Sequence, residues 1–305
     1  MTLFPTRTVA VRAPATSANL GPGYDSFGLA LSRYDEVHAR VSPAGLDVRV
    51  SGAGAGELAL DHTHLVVRAM RAAFDVLGVQ PPGLELDCRN DIPHGRGLGS
   101  SASAIVSGIE LARSLCIEGR TRLSDADALA LATEIEGHPD NVAACLLGGL
   151  SLAWLAEGRG SAIQVATPDQ LAATGIRPVL FLPAGRSMTK LARAVLPDRV
   201  PHADAAFNAS RAGLLVLALT GRPELLLAGT EDRLHQDYRA ADMPASAELV
   251  GALRERRIAA VISGAGSSVL ALATAEQVAA AAELAPPGWE CAQLAISAGA
   301  RTVIL

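Results

Sequence analysis

The chain reads as an α+β protein on three observations. Short segments alternate apolar and polar residues, helical patterns lie between them, and few apolar runs are long enough for a doubly wound parallel sheet. Periodicity alone leaves open the choice between this class and a doubly wound sheet.

Val9 and Val11 alternate with polar neighbours and predict a first strand that runs into Ala13-Pro14. The Ser, Asn, Gly and Pro residues from Pro14 to Gly28 then predict a loop. Asp61 and Thr63 precede a helical pattern at Leu65, Ala69, Ala73 and Leu77 that stops at Gly78. Leu84, Leu86 and Cys88 alternate with Glu85, Asp87 and Arg89 as a half-buried strand. The segment Pro93-His-Gly-Arg-Gly-Leu-Gly-Ser-Ser-Ala-Ser103 follows, and Ala102, Ile105, Val106, Ile109 and Ala112 mark one face of a helix. Ser124 with Asp127 caps a further helix ending at Gly137, and Pro139 stands where a new helical turn would start. Gly148-Gly149 breaks that turn before a strand from Leu150 to Leu155.

The polar, glycine-rich stretch from Glu157 to Pro168 predicts a boundary, giving domains of residues 1–160 and 161–305. Strands at Val179–Leu182 and Ile258–Ile262 and helices at Ala205–Leu219 and Ala245–Arg256 fill the second half. Ser263-Gly-Ala-Gly-Ser-Ser268 then leads to another strand and an alanine-rich helix reaching Leu284.

Composition excludes some functions. A formal charge of -5, with arginines scattered among acidic residues, gives no field for nucleic acid. The apolar run Leu214–Leu219 is closed by Gly221-Arg222-Pro223, well short of the roughly 20 residues of a membrane span. Met1 to Pro14 carries Arg7 and Arg12 and has no continuous apolar core of a signal peptide, so a cytoplasmic protein is expected. Cys88, Cys116, Cys145 and Cys291 lie far apart and read as free thiols.

A glycine loop between a strand and a helix start exposes several backbone N–H groups at the positive end of the helix dipole, which suits phosphates. Residues 95–101 form such a loop. It is not G-x-x-x-x-G-K-[ST], because Lys190 is the only lysine, and it is not G-x-G-x-x-G, because Ser100 stands at the third glycine. Taken alone, Gly97 and Gly99 could equally build a tight turn.

Three segments taken together carry a resemblance. Pro14-Ala-Thr-Ser-Ala-Asn-Leu-Gly-Pro-Gly-Tyr-Asp25 with Phe27-Gly28-Leu29, the loop Gly97-Leu-Gly-Ser-Ser-Ala102, and Ile262-Ser-Gly-Ala-Gly-Ser-Ser268 resemble the three motifs of the GHMP kinases. With Glu134-Ile-Glu-Gly-His-Pro-Asp-Asn141, the first segment is similar to the homoserine kinase branch. The resemblance implies a ribosomal-protein-S5-like N-terminal domain, a ferredoxin-like C-terminal domain, and ATP with Mg²⁺ on the loop. It places nucleotide contacts at Pro93, Gly95, Gly97, Leu98, Gly99, Ser100, Ser101 and Ala102, and metal ligands at Ser101 and Glu134. Glu134 and Glu136 point about 200° apart on a helix, so only one can face the phosphates. The expectation is that Glu134 does and that Glu136 is a solvated carboxylate.

L-homoserine would be the phosphoryl acceptor. By resemblance Asn19 and Asp25 face the amino acid, with Asp25 the natural partner for its ammonium, and Arg193 and Arg239 fork onto its carboxylate. His138 and Asn141 would line its pocket. Asn141 stands where mevalonate kinase has an aspartate base, and neighbouring Asp140 is expected to be rotated away by about 100°. Without the family context, either arginine could be a surface charge and His138 a structural residue. Many members have an asparagine near the adenine where this chain reads Thr63-His64-Leu65. Family members are often homodimers, and threonine, close in shape to homoserine, is a plausible competitor.

Two other readings remain open. Another small-molecule GHMP kinase would share the phosphate loop but not Asp25 and the two arginines. A catalytically dead binding or regulatory protein need not keep Ser101 and Glu134.

Overall fold

The computed structural model describes residues 4–5, 7–184 and 194–305. The first strand, β1, is longer than its alternation suggests and runs Val9–Ala18. Its second half is the segment expected to be a loop. Pro14 sits in it because the register with the next strand shifts between Pro14 and Ala15, a bulge where a missing N–H is tolerated. The partner, β2 (Phe27–Ser42), then bends through the sheet and also pairs β4 (Gly83–Asn90) and β5 (Leu150–Ala156). β3 (Gly45–Gly52) lies parallel to β4.

The stretch expected to be a boundary is a strand. β6 (Arg159–Ala166) pairs back on β5 through a turn at Gly158, so a division between residues 160 and 161 falls inside one hairpin. Polar composition misled here because β6 is the outermost strand of that hairpin and much of it is exposed. The first sheet ends only after Ala166, and β11 (Arg301–Ile304) brings the chain back to it beside β1.

The second sheet has the order β10-β7-β9-β8, all antiparallel: β7 is Ile176–Leu182, β8 Ala259–Ile262, β9 Val269–Thr274 and β10 Glu290–Gln293. The helices His202–Thr220 and Pro244–Glu255 lie between β7 and β8, and Val278–Ala282 lies between β9 and β10. This is the expected ferredoxin-like arrangement. Val179–Leu182 of β7 and most of β8 and β9 read as unbroken apolar runs because both faces are covered, whereas β10 is partly exposed. Leu180 and Leu182 face a core shared with Leu20, Leu29, Ile92 and Leu98 of the first unit, whereas Val179 and Phe181 face Leu249 and Leu253.

That shared core includes Leu20 of the 19–26 loop and Leu98 of the glycine loop. The first unit's other core packs Val9 and Val11 of β1 against Met70 and Phe74 of helix Leu65–Val76 and Ile105 and Ile109 of helix Ser100–Leu115. Fully burying an aliphatic or aromatic side chain contributes roughly 1.5–3 kcal/mol, so these contacts fix where the second helix begins. The four cysteines are unpaired, three of them buried, as expected. Among the described residues, no helix is long and apolar enough to cross a membrane.

Candidate active site

The three motifs interlock through their backbones. Thr16 N–H donates to the Leu98 carbonyl (3.0 Å), Gly264 N–H to Ala18 (3.1 Å) and Ser268 N–H to Arg96 (3.3 Å). Ser263 Oγ bridges Ser17 Oγ (2.8 Å) and the Gly97 carbonyl (2.7 Å). Gly97 and Gly99 have φ of +74° and +66°. A Cβ on Gly97 would stand 2.0 Å from the Ser263 carbonyl oxygen, and one on Gly99 1.9 Å from Thr16 Oγ1. Close approach of three chain segments, together with the left-handed backbone, requires glycine at both places.

Beside this junction lies a cavity of about 750 Å³ lined by the 94–101 loop, the 58–66 segment, the 136–141 turn, Asn19, Tyr24, Asp25 and Arg239. Gly99 is the residue before helix Ser100–Leu115, and no side chain caps that end. Its unpaired N–H groups and the helix dipole offer the cavity an anion site. Gly95, Gly97, Leu98, Gly99, Ser100 and Ser101 line it. Pro93 and Ala102, expected as nucleotide contacts, do not: Ala102 is fully buried in the core face of the helix, and Pro93 is half-buried outside the cavity.

The two glutamates are placed the other way round from expectation. Ser101 Oγ donates to Glu136 Oε1 at 2.6 Å, and both line the cavity; Glu134 is exposed and outside it. The helix Asp125–Glu136 buries Ala128, Leu129 and Ala132, and steps of four from Ala128 and Ala132 lead to Glu136. Glu134 lies about 200° round from Ala132 and meets solvent. That inward stripe was the available signal. Burial raises the Glu136 pKa above the ordinary carboxylate value, although the Ser101 bond works against it.

Asp140 and Asn141 both reach the cavity, contrary to the expectation that Asp140 is rotated out. They start the short helix Asp140–Leu147, where the chain turns in from Pro139. Asp140, buried, accepts from Asn141 N–H (2.7 Å) and pairs with His138 Nδ1 (2.6 Å). Thr16 Oγ1 donates to Asn141 Oδ1 (2.8 Å), which ties this turn to the first motif.

Asn19 is buried and lines the cavity, but its amide is occupied in building the first motif. Nδ2 donates to the Gly264 carbonyl (2.8 Å), and Oδ1 accepts from Asp25 N–H (2.9 Å). Both Asn19 and Asp25 have positive φ, 69° and 53°. Arg239 ends the helix Gln236–Arg239 and is 2% exposed, so it is no surface charge. Its guanidinium lies 5.6 Å from the Tyr24 ring centroid. Arg193 falls outside the described residues.

At the other part of the cavity, Val37, Leu58, Leu65, Val66 and Ala104 give an apolar lining around His64 and His94. His64 is buried, and among the described residues neither ring nitrogen has a hydrogen-bond partner. Burial, with His94 nearby, lowers its pKa. Asp35 went unread in the sequence. Its buried carboxylate accepts from the N–H groups of Asp91 (2.9 Å) and Ile92 (3.0 Å), anchoring the entry to the phosphate loop, and burial raises its pKa.

Comparison with known proteins agrees with this layout. Residues 64–149 match the family description "GHMP kinases N terminal domain" and residues 214–286 "GHMP kinases C terminal". The chain is 54% identical to a homoserine kinase of Streptomyces coelicolor over 301 residues, covering 99% of this chain and 96% of that one. It is 51% identical to one of Clavibacter michiganensis over 304 residues, covering 97% and 94%. The crystal structure of homoserine kinase from Cytophaga hutchinsonii superposes with a TM-score of 0.83 at 25% identity, covering 97% of this chain and 98% of that one. A mevalonate diphosphate decarboxylase from Staphylococcus aureus, at 13% identity and a TM-score of 0.67, shares the fold. The chain belongs to the GHMP kinases, in the homoserine kinase family.

Proposed function

We propose that the protein transfers the γ-phosphate of ATP to the side-chain hydroxyl of L-homoserine, giving O-phospho-L-homoserine, in the cytoplasm. The observation that carries this reading is one cavity with a backbone-built anion site on one side and Asp25 and Arg239 on the other. The loop starts beside His94 and ends at Gly99, against Thr16 and Asn141, and so runs from the apolar part to the charged part. The base of ATP lies in the apolar part and its phosphates on the loop and the helix N-terminus.

Ser101 and Glu136 supply hard oxygen donors that fit Mg²⁺, which binds few protein ligands and completes its shell with phosphates and water. When bound, the ion neutralises phosphate charge.

The protein's own groups orient the acceptor. Asp25 takes the ammonium and Arg239 the carboxylate, which leaves the hydroxyl end directed at the phosphate site. Asn141, pinned by Thr16, lines the path between them. A loose phosphoryl-transfer transition state asks for alignment and charge stabilisation more than for early deprotonation of the hydroxyl, so no strong base is required. ADP release measured with homoserine, mevalonate, shikimate and galactose tests the reading. Homoserine should give by far the highest kcat/KM; a better rate with mevalonate would overturn it.

A further inference from the structure

His235 lies behind the charged part of the cavity, and none of the roles above uses it. Its side chain is fully buried, yet both ring nitrogens are engaged. Nε2 stands 2.8 Å from the Gly21 carbonyl oxygen, which can only accept, so Nε2 carries the proton. Nδ1 stands 3.1 Å from Arg239 Nη1, which can only donate, so Nδ1 offers a lone pair. The two contacts together specify one neutral tautomer.

The surroundings hold that ring in place. Asp232 Oδ2 lies 3.5 Å from Nε2, and this carboxylate is itself fixed by the N–H groups of Leu234 (2.9 Å), His235 (3.1 Å) and Gln236 (2.8 Å). Asn208 Nδ2 reaches both Asp232 (3.3 Å) and the Pro22 carbonyl (3.1 Å). The Tyr24 ring lies 5.3 Å from the imidazole, centroid to centroid. Gly21 and Pro22 belong to the same loop as Asp25. The imidazole therefore joins the element carrying the cation to the loop carrying the anion.

We propose that His235 is a positioning residue that holds the Arg239 guanidinium at a fixed place relative to the Asp25 loop, so that the two charges match the spacing of carboxylate and ammonium on one small amino acid. The proposal rests on the reading that Arg239 binds the acceptor's carboxylate. Without the Nδ1 acceptor, Arg239 stays charged and buried but loses a direction, and part of the binding is spent on orienting it.

The test compares two substitutions that divide the ring's two roles. His235→Asn keeps an acceptor near the Nδ1 position; His235→Gln keeps a donor near the Nε2 position and removes the acceptor. KM for homoserine, KM for ATP and kcat/KM for 3-aminopropan-1-ol, which lacks the carboxylate, are measured for both, for Arg239→Leu and for the parent, with melting temperatures. His235→Gln should raise KM for homoserine by about tenfold, the scale of one hydrogen bond to a charged group, and leave KM for ATP and the 3-aminopropan-1-ol value unchanged. His235→Asn should recover most of the loss. Equal losses in the two variants that follow their melting temperatures, or no loss in His235→Gln when Arg239→Leu loses strongly, overturn the positioning role. Arg239→Leu without effect on homoserine shows instead that the carboxylate reading itself is wrong. In the unsubstituted protein, imidazole ¹⁵N shifts should report His235 protonated on Nε2 only; a doubly protonated ring or an Nδ1–H tautomer contradicts the proposal.

Discussion

The two parts of the cavity proposed to take the phosphates and the amino acid are built by different means. On the phosphate side the groups that would meet the ligand are backbone N–H groups, held by glycines that let three segments approach within van der Waals distance. On the amino-acid side they are side chains from the first motif, the 136–141 turn and the Gln236–Arg239 helix, each held by its own hydrogen bonds. A backbone site should suffer mostly from added atoms, and a side-chain site mostly from removed charges.

The largest expected effect falls where the two parts meet. Glu136→Gln should lower kcat by ~100-fold or more, the scale for an electrostatic group at a developing charge, while Glu134→Gln should stay near the parent. Steady-state kinetics at saturating ATP and homoserine decide this. Losses of equal size in both variants would show that the inward orientation of Glu136 does not carry the function.

Added atoms come next. Gly97→Ala should cost more than Gly99→Ala, because the new methyl meets a backbone carbonyl in the first case and a side-chain hydroxyl in the second. Adding Thr16→Ala to Gly99→Ala should restore part of the ATP affinity, leaving the left-handed strain of roughly 1–2 kcal/mol. Calorimetric titration with ATP and melting curves read both effects. An unchanged ATP affinity in Gly99→Ala would mean that the glycine only shapes a turn.

The smallest effect is on stability. Burial lowers the pKa of His64 and of His235, so between the ordinary histidine value of about 6.5 and the depressed folded values the unfolded chain binds protons that the folded one does not. Their contribution is complete above that pH and is lost as pH falls through the window. His64→Leu should therefore flatten the decline of Tm between pH 7 and pH 5.5. An unchanged slope would mean that His64 is accessible to protons in the folded protein.

The same division governs what the sequence made legible. Gly97 and Gly99 were readable as a candidate phosphate loop because they lie between a strand and a helix, and the resemblance of the three motifs decided against a mere tight turn. β2 escaped a sequence reading because Arg33, Tyr34, Asp35 and Glu36 interrupt its apolar alternation. β6, an exposed outer strand, looked like a linker. At the site, the choice between Glu134 and Glu136 needed the inward face of their helix, which Ala128 and Ala132 marked only weakly beside the other alanines and leucines. Asp35 and His235 matter through partners 57 and 214 residues away, and a sequence holds no distance of that kind.

Two opposite charges, Asp25 and Arg239, are proposed to select an amino acid at the side-chain part of the cavity. The most direct test of this selection is the ratio of kcat/KM for homoserine to that for 4-hydroxybutyrate, which keeps the carboxylate and the hydroxyl and lacks the ammonium, in the parent and in Asp25→Asn. The parent should prefer homoserine by ~100-fold or more, because a site built for a charged group rejects the analogue without it. Asp25→Asn should bring the ratio toward one by losing homoserine and leaving 4-hydroxybutyrate in place. A ratio that survives the substitution unchanged would contradict the claim.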